Sequence, residues 1–200
     1  MIAPLLAYAL LTQSGGALPV HSVRAKPASQ PLAAQLILES ARRQLSPPAV
    51  YDASYQRLSY PGGDVPADRG ACSDVIVRAL RWAGYDLQKL IHEDIKKGTY
   101  PRVTGKRDKN IDHRRVANQV VYFARFGQRL SIAAFRPERF KPGDFVTWKL
   151  PNNLDHIGII SDRKVDGRPL VIHNIAGAAE EDVLIAWRMT GHYRFPKPGS

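Results

Sequence analysis

Cys72, His156 and His173 are the side chains whose types and settings suit covalent chemistry in this chain. Cys72 is its single cysteine, so no intramolecular disulfide and no multi-cysteine zinc or iron–sulfur site can be built from it. It follows Gly70-Ala71 and opens Cys72-Ser73-Asp74-Val75-Ile76-Val77-Arg78-Ala79-Leu80-Arg81-Trp82-Ala83, a run with helical spacing that Gly84 ends. The N–H groups of a helix's first turn are unpaired and its dipole is positive there. A cysteine at that point is drawn toward the thiolate, and the Cys72 or Ser73 N–H can hold an oxyanion formed beside the sulfur. The same residue also lies on an apolar stripe with positions 75, 76, 79, 80 and 83, where a free cysteine is a small buried hydrophobe. A working thiol needs a base, so the histidines decide between the two readings.

Of the six histidines, His156 and His173 each fall inside a β-rich run. Alternation in Asp155-His156-Ile157-Gly158-Ile159-Ile160 puts His156, Gly158 and Ile160 on one face, with Gly158 leaving room for close approach. In Leu170-Val171-Ile172-His173-Asn174, His173 shares a face with Val171 and Asn174 takes the other, which makes Asn174 a poorer partner. The two runs are expected to form an antiparallel hairpin. A two-residue turn at Asp166-Gly167 would set His173 opposite Ile160, about 13 Å along from His156 at about 3.3 Å per residue. A longer loop centred near Lys164-Val165 would set the two imidazoles opposite each other at about 5 Å. The longer loop is preferred, because the shorter one leaves two buried rings without evident partners. Either register keeps both side chains on one face. The plainer alternative for each ring is a polar residue satisfied within a sheet. One cysteine and two histidines are also zinc-ligand types, but they lack a fourth ligand and a paired spacing, so no metal or other cofactor is expected.

The block Asp112-His113-Arg114-Arg115 is the densest in charge. Two arginines beside a cleft would grip a carboxylate through paired N–H···O bonds. The alternative is a solvated loop in which Asp112 caps a helix start. No nucleic-acid motif and no regular aromatic interleaving accompany the block, so a specific nucleic-acid partner is not expected.

The positioning elements follow from periodicity. Leu32 to Leu45 has helical spacing and stops at Pro47-Pro48; Tyr51 to Val65 is a loop carrying Tyr51, Tyr55, Tyr60 and a Pro61-Gly62-Gly63 turn. After the helix at Ala71–Ala83, further helices are expected at Asp86–Lys97 and Val116–Phe126, separated by a polar loop over 98–115. Strands are expected at Phe145–Lys149, His156–Ser161, Leu170–Asn174 and Val183–Met189. Helices followed by an antiparallel meander predict an α+β fold with helices packed on a C-terminal sheet. Trp82, Trp148 and Trp187 read as core.

At 200 residues the chain has room for one domain with a sizeable core, and 44% apolar with 24% charged residues excludes wholesale disorder. A formal net charge of +11 attracts polyanions: nucleic acid, acidic lipid head groups or an anionic envelope polymer. Residues 2–11 are uncharged and too few to span a bilayer. With the small residues that follow, residues 1–25 are read as a secretory signal peptide, although no Lys or Arg precedes the apolar run. Residues 26–31 are read as a flexible leader and 32–196 as the folded domain. Export makes an unpaired thiol a liability unless it is buried or used.

Tyr60-Pro61-Gly62-Gly63, Cys72-Ser73 at a helix start, Asp155-His156-Ile157-Gly158-Ile159 and Val171-Ile172-His173 together resemble the NlpC-type cell-wall cysteine peptidases. More closely, the chain resembles the bacterial family catalogued as domain of unknown function 1287, over about residues 32–195. Its further blocks are Tyr51-Asp52, Cys72-Ser73-Asp74-Val75, Asn110-Ile111-Asp112-His113-Arg114-Arg115-Val116, Pro142-Gly143-Asp144, His173-Asn174 and Gly191-His192-Tyr193-Arg194. The resemblance implies a papain-like fold with Cys72 as nucleophile, His156 as base and His173 orienting it. It implies an oxyanion hole that includes the Cys72 or Ser73 N–H and the Tyr60 hydroxyl. Ala71 and Asp74 depart from the NlpC pattern, which usually has Asp before the cysteine and a small residue two after it. A carboxylate at 74 opposes thiolate formation if it points inward.

The function expected is an exported, periplasmic or envelope cysteine hydrolase of amide bonds, with peptidoglycan peptide or another anionic envelope polymer as substrate and His113, Arg114 and Arg115 gripping its carboxylates. Peripheral membrane contact fits the charge. A non-catalytic basic envelope-binding module on the same fold, and an acyltransferase, are the alternatives.

Overall fold

The helix that begins at Cys72 is the centre of the molecule. In this computed structural model, which describes residues 27–29, 32–98, 100–101, 106–133 and 135–198, α2 (Cys72–Trp82) has every residue buried, including Arg78 and Arg81. Around it pack α1 (Leu32–Arg43), α3 (Leu87–Asp94) and α4 (Val116–Phe126). α1 presents Ala33, Ile37, Leu38 and Ala41 to the core at i, i+4, i+5 and i+8, the spacing of one helix face. The Asp86 carboxylate caps α3 by accepting the Gln88 N–H, and Gly127 closes α4.

Six strands form one antiparallel sheet in the order β3-β8-β4-β5-β6-β7: β3 (Gln128–Leu130), β4 (Phe145–Lys149), β5 (Asp155–Val165), β6 (Arg168–Asn174), β7 (Ala178–Glu181) and β8 (Arg188–Arg194). A parallel pair of two-residue strands, β1 (Val50–Tyr51) and β2 (Arg69–Gly70), leads into α2. The fold is therefore α+β, four helices and then an antiparallel sheet, as the periodicity predicts.

Three expectations are corrected. The strand expected at Val183–Met189 begins only at Arg188. Residues 183–187 instead cross the sheet as a loop, with Leu184 fully buried and its carbonyl accepting the Trp148 indole N–H at 3.1 Å. An apolar run that covers a sheet has the composition of a strand within it. The hairpin turn is the two-residue Asp166-Gly167, both at positive φ (49° and 76°), not the longer loop preferred above. The leader is not free throughout: Ala28 is buried, its N–H bonds the Ala83 carbonyl and its carbonyl accepts the Tyr85 hydroxyl. The signal-peptide reading lies on residues 1–25, outside the described residues.

Two apolar clusters flank the sheet. One joins the helices to Phe145, Ile157, Ile159, Ile172 and Tyr193 and includes Cys72; the other holds Val146, Trp148, Ile160, Val171, Leu184 and Phe140 on the opposite face. This division by strand alternation fixes where each site residue points. Among the described residues no helix is long and apolar enough to cross a membrane.

Candidate active site

The two strand histidines meet. His156 Nε2 and His173 Nδ1 are 2.9 Å apart, with the rings edge-to-face at 5.0 Å between centroids. The register that allows this is neither of the two expected. Beyond the tight turn, an irregularity between Ile160 and Lys164 slips the ladder, so Ile160 pairs with Val171 and Ile159 with Ile172. His173 then comes beside Gly158. A Cβ on Gly158 would lie 3.3 Å from the His173 Cβ and 2.5 Å from Val171 Cγ1, so the glycine makes room for the second ring. Trp148 and Trp187 pack around the pair at 5.4–6.0 Å between ring centroids.

Burial governs the titration of these rings. It pushes His156 down to about 3, with the neighbouring His173 adding to the effect, and it lowers His173 as well. His113 is likewise buried and pushed down to about 3, with Arg114 and Arg81 contributing. A histidine whose folded pKa is depressed is neutral in the fold and charged when unfolded. Its stabilisation is present above the unfolded pKa of about 6.5 and is lost as pH falls toward 3. His156 and His113 each contribute a slope of about 1.4 kcal/mol per pH unit between those limits, and His173 adds to it in the same direction. Unfolding at pH 5 is expected to take up about two to three protons, and the denaturation free energy should fall steadily from pH 7 to pH 4. Potentiometric or calorimetric proton counting checks this; uptake below one proton would show that the rings titrate normally.

Cys72 is the first residue of α2. Ala71 is the N-cap, in extended conformation, and its N–H bonds Asp74 Oδ2 at 2.7 Å. Both carboxylate oxygens of Asp74 also accept from Arg114, at 2.8 and 2.9 Å, with both side chains about 2% exposed. Gln119 braces the same turn from α4, donating to the Ser73 and His113 carbonyls. Burial raises the Cys72 thiol to about 11 and the Asp74 charge adds to the rise, against the opposing pull of the backbone N–H groups of Ile157, Ser73 and Cys72. At neutral pH it rests as the thiol. It is 5% exposed on the floor of an open cleft of about 580 Å³ lined by Tyr51, Ser73, Arg115, Asn153 and Asp155.

The structure thus brings Cys72 to the backbone of the histidine-bearing strand, one residue from His156, but forms no hydrogen bond between the sulfur and either ring. Alternation explains the gap: Ile157 faces α2, whereas His156 and His173 take the face of Trp148 and Val171. Asn174, set aside above, lies on the Cys72 side and donates to the Ala49 and Gly70 carbonyls.

Other expected site residues lie elsewhere. Tyr60 packs edge-on to His92 of α3, with Lys109 over its ring, and is absent from the cleft; the tyrosine beside Cys72 is Tyr51. His113 and Arg114 are 2% and 6% exposed in a single 3-10 turn, so the solvated-loop reading fails for them. Arg114 and Arg115 both line the cleft; Arg114 is bonded to Asp74 and to the Ser54 carbonyl, whereas the Arg115 side chain is 39% exposed and lies 3.7 Å from Asp112. Asp74 does point inward, as its departure from the NlpC pattern made possible. No signal in the residues singled out Tyr51 or Gln119; their roles depend on long-range placement.

The family described as Domain of unknown function (DUF1287) matches residues 38–195, which include both histidines and Cys72. A relative from Escherichia coli (strain K12), named Uncharacterized protein YijF, is 48% identical over 188 residues, spanning 88% of this chain and 91% of its own length. By that family match, which spans most of its length, the chain belongs to the DUF1287 family.

Proposed function

We propose that this protein is a cysteine hydrolase of amide bonds in the cell envelope, acting on peptidoglycan peptide through a papain-like, NlpC-type arrangement of Cys72, His156 and His173. The observation that carries the reading is the setting of Cys72: first residue of a helix, beside the free N–H groups of its first turn, at the floor of an open cleft with Arg115 on its wall. Those N–H groups are placed to stabilise negative charge beside the sulfur. In the first step the Cys72 sulfur bonds the carbonyl carbon while its proton passes to His156. His156 then protonates the leaving amine as the C–N bond breaks, and water resolves the thioester, returning the proton to sulfur. His156 takes the sheet face away from the sulfur, so the reading requires the ring to change face in the substrate complex, a rearrangement larger than the tightening of a long hydrogen bond. Arg115 is the group for a substrate carboxylate, and the net charge of +11 holds the protein on an anionic polymer.

A second reading, a non-catalytic basic envelope-binding module, is favoured by the buried thiol at about 11 and by the missing sulfur–imidazole bond. Digestion of purified peptidoglycan separates the two. The hydrolase releases peptide fragments, and Cys72→Ala reduces release by at least about 100-fold, the scale of a lost nucleophile. Release that survives in Cys72→Ala, or none from the parent protein, overturns the hydrolase.

A further inference from the structure

The His156–His173 pair leaves one nitrogen unaccounted for. His173 Nδ1 faces His156, so its Nε2 points away, and that atom is buried with no hydrogen-bond partner. The Glu181 Oε2 lies 3.4 Å from it. β7 provides this placement: Ala179 pairs with His173 and Glu181 with Val171, so Glu181 is the diagonal neighbour of His173 on the same sheet face. Its neighbour Glu180 faces the other way and is bound by Arg42, Arg163 and Ser161, which leaves Glu181 as the carboxylate on the histidine side. At 3.4 Å the contact is long for a hydrogen bond, but Glu181 is half exposed and free to close it, and an orphaned buried N–H favours that closure.

We propose that Glu181 is a positioning residue that fixes the tautomers of the histidine pair. An ionised carboxylate only accepts, so it selects the Nε2–H form of His173. His173 Nδ1 is then an acceptor, and the one proton in the 2.9 Å contact belongs to His156 Nε2. That leaves the His156 Nδ1 lone pair as the basic site, with His173 and Glu181 in line to stabilise the imidazolium formed when it takes a proton. The relay concerns the rings themselves; its catalytic consequence rests on the hydrolase reading.

Imidazole ¹⁵N NMR of the intact protein at pH 7, compared with Glu181→Gln and Glu181→Val, tests the assignment. Glu181 is at the sheet surface, so both variants should fold. In the parent protein both rings should appear as Nε2–H tautomers. In Glu181→Val the His173 signals should move toward the Nδ1–H form or a mixture, with His156 following, while Glu181→Gln, which keeps an acceptor, should shift less. Unchanged ring signals in Glu181→Val, or an Nδ1–H form of His173 in the parent, overturn the proposal. If the tautomers shift while peptide release by the parent is nil, the relay stands and the hydrolase reading falls. If the parent is active, Glu181→Val should lower kcat by about tenfold, a fraction of a full general-base contribution, with KM little changed.

Discussion

Asp64→Ala is expected to be the most destabilising single substitution outside the apolar core. Asp64 Oδ2 accepts from Arg78 Nε at 3.1 Å and from Arg81 Nη1 at 3.0 Å, and both arginine side chains are 1% exposed on the central helix α2. Arg78 also donates to the Val65, Pro66 and Arg69 carbonyls, and Arg81 to the Gly63 carbonyl. Those neutral acceptors satisfy donors without cancelling charge. Removing one partner of a buried ion pair costs about 3–5 kcal/mol, because the remaining charge is left in a poor solvent. Here one carboxylate serves two cations, with Asp86 reaching Arg81 only at 3.7 Å, so the upper end of that range is expected. For a domain of this size the thermal midpoint should drop by roughly 10–20 °C. Asp64→Asn, which keeps the shape, should lose nearly as much. Adding Arg78→Met to Asp64→Ala should recover part of the loss, since it removes the charge left without a carboxylate. Denaturant unfolding of the four proteins measures this, and a loss below about 1 kcal/mol for Asp64→Ala would contradict the account.

That cluster also marks how far the sequence reaches. The helix starts were legible because apolar spacing and Asp86 as a cap are local signals, and α4 runs over Val116–Phe126 as read, whereas α3 stops at Asp94 and not at the expected Lys97. β4 is likewise Phe145–Lys149. The meeting of His156 and His173 was legible in face but not in register, since parity survives a slip of two residues and the irregularity after Ile160 leaves no compositional mark. Residues 183–187 misled because a loop buried over a sheet and a strand inside it are both apolar. Arg78, Arg81 and Arg114 could not be placed from their own positions. A buried guanidinium is decided by a carboxylate far along the chain, as with Arg114 and Asp74. The same limit applies to Cys72. Its helix start was readable, whereas the side of the strand that each imidazole takes relative to α2 depends on how the sheet docks.

Asp74→Asn is expected to move stability and thiol reactivity in opposite directions. Asp74 receives two bonds from the buried Arg114 and one from the Ala71 N–H at the start of α2. The amide keeps one acceptor oxygen but no charge. Arg114 is then a buried cation whose direct acceptors are all neutral, that amide oxygen and the Ser54 and Asp52 carbonyls. A loss of about 3–5 kcal/mol follows, on the same reasoning as for Asp64. For the thiol the sign reverses. Burial is the main cause of its rise to about 11, and the Asp74 charge adds to it. Removing that charge, and leaving the Arg114 charge uncompensated nearby, favours the thiolate. Alkylation by iodoacetamide at pH 8 should accelerate by about tenfold, corresponding to one unit of thiol pKa. Because a destabilised protein also opens more often, the rate must be followed at low denaturant. Alkylation of the folded state is insensitive to denaturant there, while alkylation through unfolding rises with it. Faster, denaturant-independent and pH-dependent labelling of Asp74→Asn is the expected result. Slower labelling would mean that Asp74 supports the thiolate, through the helix start it caps, more than its charge opposes it.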